Sequence, residues 1–245
     1  MVAELPSRVP DLFGMGNDKI GNALTFSIPA IDTCPGASGL CKGLCYATRG
    51  HYHGSNVKDR LHRNWEHSKH PDFAETAIRL LNGMNRKSAK IFRVHPSGDL
   101  YDVTYARKWF QIMKRCPSWT FWIYTRSWRI KEFLPVLTNI AKLPNVQLWF
   151  SVDNETGRPL EVPPGVRLAY MMIDDNDEPR WDTDLFFRDG GIRDSVRKHI
   201  RGTLVCPVEN GVSHTTCDKC RVCLTDPVQD PSKRTHDRFA LPIVN

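Results

Sequence analysis

Seven of the eight cysteines in this chain fall into two tight sets about 160 residues apart. The first set, Cys34, Cys41 and Cys45, has the spacing C-x6-C-x3-C in a loop that also carries Gly36, Gly39 and Gly43. The second, Cys206, Cys217, Cys220 and Cys223, has the spacing C-x10-C-x2-C-x2-C, with Pro207 after its first member. Thiolates gathered this closely in a chain without a secretory segment usually hold a soft metal or an iron–sulfur cluster rather than disulfides. The later set combines the C-x2-C-x2-C run and a Cys-Pro step, both features of ferredoxin ligation, so a [4Fe–4S] cluster is expected there. A structural zinc site is the competing assignment, since four cysteines can surround zinc tetrahedrally. His214 is a further conceivable ligand. Three cysteines in the first set would leave one iron of a cubane open to another ligand. Whether the seven thiols serve one centre or two is open from spacing alone. Cys116, alone at the end of a helix before Pro117, reads as a packing residue.

Elements must position these thiols. Leu24–Ile28 alternates like a strand and runs directly into the first cysteine loop. Residues 56–69 and 73–84 have helical spacing, with Gly83 at the second helix's end. Strands are then expected at 90–95, 120–124, 146–152 and 166–172, with a short last one at 203–205. Helices are expected at 101–116 and 129–143, the latter bent or cut short by Pro135. Strand–helix units about 30 residues apart imply parallel pairing through right-handed crossovers. Residues 1–205 form one α/β domain in this reading, and 206–245 a Cys-rich extension packed on it.

Polar residues follow three successive strands: His95, Ser97 and Asp99, then Arg126, then Asp153 and Glu155. Enzymes with parallel sheets gather their catalytic groups at this edge, which makes His95, Ser97, Asp99, Arg126 and Asp153 the candidate catalytic set. The formal charge is +7, and residues 42–70 carry six Lys or Arg and five of the nine histidines. Arg49, Lys58, Arg60 and Arg63, with Trp65 and Tyr52 to stack bases, form a candidate nucleic-acid surface. No apolar run has the length to span a bilayer and no leader is evident, so a cytoplasmic protein is expected.

The strand, the three-cysteine loop ending in Cys45-Tyr46-Ala47 and the strand–helix array resemble the radical S-adenosylmethionine enzymes. That resemblance implies a partial parallel (β/α)6 barrel and a [4Fe–4S] cluster on Cys34, Cys41 and Cys45 that chelates S-adenosylmethionine. It also implies a methionine-binding role for Ser97-Gly98-Asp99 and a ribose contact from Asp153 or Glu155. The family's own triplet is C-x3-C-x2-C. Over nearly its whole length the chain also resembles the gene-product-88-like proteins of actinobacteriophages. The matching stretches are Thr25 to Pro35, Gly39 to Ala47, Arg93 to Asp99 and the last cysteine triplet. This second resemblance implies a phage protein made in a bacterial cytoplasm and supplies no activity. Three functions follow as expectations: an iron–sulfur enzyme acting on an unknown substrate, a nucleic-acid-binding protein with a structural iron–sulfur or zinc centre, or an effector of a host protein.

Overall fold

The computed structural model describes residues 4–85, 88–174, 177, 179–188, 199–200, 203–209 and 215–224. Its centre is a six-stranded parallel sheet in sequence order: β1 (Leu24–Phe26), β2 (Ile91–Val94), β3 (Thr120–Thr125), β4 (Val146–Val152), β5 (Arg167–Met172) and β6 (Leu185–Arg188). This α/β arrangement is compatible with a partial barrel. A two-residue antiparallel pair, β7 (His199–Ile200) and β8 (Thr203–Leu204), adjoins it, and Val205 bridges to Phe186.

Alternation along the strands sends successive side chains to opposite faces. Leu24, Phe26, Phe92, Val94, Phe121, Ile123, Leu148 and Phe150 join one core under the helices. These helices are α1 (Val9–Leu12), α3 (Ser55–Lys69), α4 (Phe73–Asn82), α5 (Val103–Arg115) and α6 (Leu134–Ala141); α2 (Gly39–Gly43) buries no residue and lies outside this core. Helix α5 shows why they form. Asp102 caps it by accepting from the Tyr105 amide at 2.7 Å, and Tyr105, Ala106, Trp109, Ile112 and Met113 make one buried stripe. Trp109 then packs on Phe26, Phe73 and Phe92, with ring centroids 5.7, 6.1 and 5.7 Å away. Cys116 is fully buried in the same core, the packing residue its isolation suggested.

The other sheet face carries Trp122, Tyr124, Trp149, Ala169 and Leu185. Against them lie Cys206, α7 (Cys217–Cys220) and Cys223. The later cysteines are thus part of the fold's second layer. Both faces of the central strands are covered, so β3 and β4 read as nearly continuous apolar runs.

The helix expected at 129–143 is cut short at Pro135: α6 spans Leu134–Ala141 with the proline in its first turn, where its missing N–H costs nothing, and 3-10 turns at Ser127–Arg129 and Lys131–Phe133 precede it. Two other points differ from expectation. The strand–helix rhythm stops after β4. Among the described residues no helix separates β4 from β5 or β5 from β6, and Gly157, Pro159, Pro163, Pro164 and Gly165 account for the first of these. Finally, β6 carries no alternation that marks it; it is defined by pairing Ala169–Met172 with Leu185–Arg188.

Candidate functional site

The carboxyl ends of the strands open on a cavity of about 460 Å³. Cys34, Cys41 and Cys45 all line it, each half-buried. Ser97, Gly98, Asp99 and Arg126 line it too, with Tyr46 beside the cysteines, Met171 and Phe187 on the apolar wall, and Arg93 among its residues. Its size suits a small molecule. A larger groove of about 730 Å³ between α5 and α6 is lined mainly by charged and polar side chains, Arg107, Lys114 and Glu132 among them, and holds no cysteine.

The cysteine loop is held by contacts that span the chain. Ser38 caps α2, accepting from the Cys41 amide at 2.9 Å, and donates its hydroxyl to Asp153 at 2.6 Å. The Glu155 carboxylate accepts the Gly39 and Leu40 amides at 2.9 and 2.8 Å, and these bonds hold its proton affinity below the usual carboxylate range. The same Asp153 oxygen lies 2.7 Å from Arg126 Nη1, and its other oxygen accepts the Glu155 and Thr156 amides. Asp153 is fully buried and does not line the cavity. The two carboxylates expected to meet a ribose are therefore turned to the loop, which they anchor.

Close approach does the rest. A Cβ on Gly36 would fall 2.0 Å from the Arg126 carbonyl oxygen, so only glycine lets the loop lie on the end of β3. Ile31, a β-branched residue, is held at a φ of 71°, a strained conformation placed just before Cys34. The Ser97-Gly98-Asp99 turn clasps this stretch. Ser97 donates to the Ile28 carbonyl at 2.9 Å, and Gly98, at a φ of 82°, leaves no room for a Cβ against Ile28. Asp99 accepts from Leu100, Thr125 and Arg126, while burial raises its proton affinity.

His95 is among the residues of the cavity as well, but its side chain is buried. At a φ of 55° its ring turns among Phe26, Tyr105 and Trp109, with Nε2 2.7 Å from the Tyr105 hydroxyl. Burial lowers its pKa from 6.5 to about 3, so the folded protein excludes a proton that the unfolded chain accepts. Stability on this account is complete above pH 6.5 and falls as the pH drops toward 3, with a slope of about 1.4 kcal/mol per pH unit. His67, whose proton affinity burial also lowers, adds a contribution of the same sign. Denaturant titrations between pH 7 and 5 should show this slope reduced by about one proton in His95→Asn; an unchanged slope would remove His95 as its source.

Cys34 feels the charge of Cys41 and Cys45, and Cys41 that of Cys45, which marks the three thiols as neighbours. Burial pushes Cys34 up to about 12 and raises Cys41 against the opposing charge of Arg126. Such thiols stay protonated at neutral pH unless a metal cation displaces the proton. Among the described residues no three Cys, His, Asp or Glu side chains already stand as a closed metal shell, so ligation would require the thiols to rotate toward one point. Donor chemistry and shared cavity fit a soft metal group. The later cysteines group separately: Cys223 is influenced by Cys217 and Cys220, and Cys206 by Cys223. His214 lies outside the described residues.

On the basic segment, Arg49, Lys58 and Arg63 are exposed. Arg60 instead donates to the Pro10 carbonyl at 2.9 Å, and Trp65 packs on the core with Lys69 4.0 Å over its ring. Sequence reasoning passed over Ser38, which looks like any loop serine, and Arg93, whose one signal is a charge inside the apolar run Ile91–Val94.

Fold and site together define an α/β protein with a parallel sheet whose carboxyl edge opens on a cysteine-lined cavity. The chain belongs to the Gene product 88 family, whose profile matches residues 11–226. It is 31% identical over 170 residues to the Gene 88 protein of Mycobacterium phage L5, covering 64% of this chain and 69% of the relative. To the Gene 88 protein of Mycobacterium phage D29 it is 30% identical over 169 residues, covering 64% and 68%. No solved structure matches. Among the described residues no helix is long and apolar enough to cross a membrane.

Proposed function

We propose that this chain is an iron–sulfur protein with a partial barrel like that of the radical S-adenosylmethionine enzymes. In this reading Cys34, Cys41 and Cys45 hold a [4Fe–4S] cluster at the cavity, and redox or radical chemistry acts on a substrate seated there. The observation that carries it is the convergence of all three loop thiols on one cavity at the carboxyl edge of the sheet. When bound, a three-cysteine cubane supplies an electron and leaves one iron open to a non-cysteine ligand, S-adenosylmethionine included.

The chain's own residues do the rest. Arg126 sets a positive charge beside Cys41, which favours the thiolate form. The spacing longer than C-x3-C-x2-C is taken up by a turn in which the Ala37 amide donates to Cys34, followed by α2. Ser38, Asp153 and Glu155 fix that helix, and Met171 and Phe187 keep one wall apolar. Thiol chemistry of this kind belongs in the reducing cytoplasm of a bacterial host.

Anaerobic purification followed by iron, sulfide and zinc analysis tests the reading. About four to eight irons per chain with matching sulfide is the expected result, along with a shift in the reduced cluster's EPR signal when S-adenosylmethionine is added. Stoichiometric zinc without sulfide would overturn it.

A second reading, nucleic-acid binding with a purely structural metal, is favoured by the exposure of Arg49, Lys58 and Arg63 on a segment whose Tyr46 borders the cavity. Single-stranded DNA should then bind with an affinity that falls steeply with salt, the slope growing with each phosphate contact. No binding at low salt would remove this reading.

A further inference from the structure

The second face of the sheet holds a group of residues that the chemistry proposed above does not use. The segment carrying the later cysteines crosses that face from edge to edge. At β6 the Cys206 amide donates to the Phe186 carbonyl at 2.8 Å. At β5 and β4, Arg167 Nη1 and Trp149 Nε1 donate to the Val222 and Cys223 carbonyls at 3.0 and 3.1 Å. Ahead of β1, the Cys217 amide donates to the Lys19 carbonyl at 2.9 Å, and Asp218 accepts the Asn22 amide at 3.0 Å.

The four side chains gather in neighbouring apolar clusters. Cys206, Cys220 and Cys223 pack with Trp149, Ala169 and Leu185, and Cys217 and Cys223 with Ile20, Ile91 and Trp122. None is in a disulfide. Buried thiols alone would be inert packing. A second observation argues otherwise. Arg93 projects from β2 to this face, its guanidinium 5.7 Å from the ring centre of Tyr124, which packs in the same clusters as Cys217, Cys220 and Cys223. Its Nε is buried with no hydrogen-bond partner, and no carboxylate ion pair reaches it among the described residues. The neighbouring cation, Lys19, is held by Glu209 at 2.6 Å. A guanidinium partly withdrawn from water, with a buried Nε left unpartnered, favours an anion beside it, and neutral thiols do not provide one.

We propose that Cys206, Cys217, Cys220 and Cys223 hold a second metal–thiolate centre, a dianion whose counter-ion is Arg93, on the second face of the sheet. Four thiolates around a doubly charged core leave that dianion whether the core is zinc or an oxidised [4Fe–4S] cubane. The centre ties the β6 edge to the chain before β1, and through Arg93 it meets the cavity from below. It stands independently of the cluster proposed for Cys34, Cys41 and Cys45.

The full chain with Cys34→Ser, Cys41→Ser and Cys45→Ser, purified anaerobically, separates the two centres. It should keep either about one zinc, or about four irons with equal sulfide, and the metal found identifies the core. Adding Cys217→Ser and Cys220→Ser should remove that metal. A folded triple variant without metal, or metal indifferent to the added substitutions, would overturn the proposal. Should the triple variant not fold, Cys217→Ser with Cys220→Ser in the wild-type background should lose one centre's metal; no loss is the overturning result. For the counter-ion, Arg93→Met should weaken retention against a chelator roughly 10–100-fold while Arg93→Lys stays near wild type. Equal retention in all three would remove Arg93 from the centre.

Discussion

Cys41→Ser is expected to abolish the cluster at the cavity while the fold stands. Cys41 is half-buried, its side chain takes part in no hydrogen bond that holds the loop, and α2 is fixed instead through the Cys41 amide, Ser38 and Glu155. Serine keeps all of those backbone contacts and removes only the soft donor. Iron and sulfide should each fall by about four per chain, with the visible absorbance of that cluster. The far-ultraviolet circular dichroism should match wild type, and the stability of the two metal-free proteins should agree within about 1 kcal/mol. A full complement of iron after Cys34, Cys41 and Cys45 have all been replaced would end the case for a cluster on this loop. Because the later cysteines form a separate group against Trp122, Trp149 and Leu185, residual metal in the single variant should be abolished only by substitutions there.

Asp153→Ala is expected to destabilise the protein by about 3–5 kcal/mol, the cost of leaving a buried charge without its partner. The side chains of Asp153 and Arg126 are 0% and 8% exposed, and their nearest atoms lie 2.7 Å apart. The same carboxylate receives the Ser38 hydroxyl and two backbone amides, so its loss also frees the cysteine loop. For a chain of this length the melting temperature should drop by roughly 10 °C. Adding Arg126→Met to Asp153→Ala should recover part of the loss, because the stranded cation goes with it. A cost below about 1 kcal/mol would show that the pair does not organise the loop. Hydrogen exchange at the Cys41 amide should quicken in Asp153→Ala even where the rest of the sheet is unaffected.

Much of this arrangement is written locally. Alternation marked β1 because a residue's face depends on its parity in the strand, apolar runs marked β3 and β4 because both their faces are covered, and the stripe on α5 marked a helix because its period is that of the turn. The polar residues after β2, β3 and β4 stood out since parallel strands bring their carboxyl ends to one edge. What those residues do there was not local. Asp153 was expected to face a ligand and instead reaches back 115 residues to Ser38. His95 shares that edge, yet its positive φ turns the ring into the aromatic core, and nothing in His95-Pro96 by itself announces that φ.

The sequence by itself determined the donor chemistry: two sets of thiols, their spacing, and the strand that delivers the first set to the sheet's edge. Only the tertiary structure decided that the sets group separately, one in the cavity at the carboxyl ends of the strands and one nearer their amino ends on the same face, against Trp122, Trp149 and Leu185. The reason is physical. Ligand type and short-range spacing are properties of a few consecutive residues. The face a segment covers is settled by which buried surface and which hydrogen-bond partners remain for it once the sheet has formed. Arg93 shows both halves: its charge is plain in the strand, and its isolation from every described carboxylate exists only in the fold.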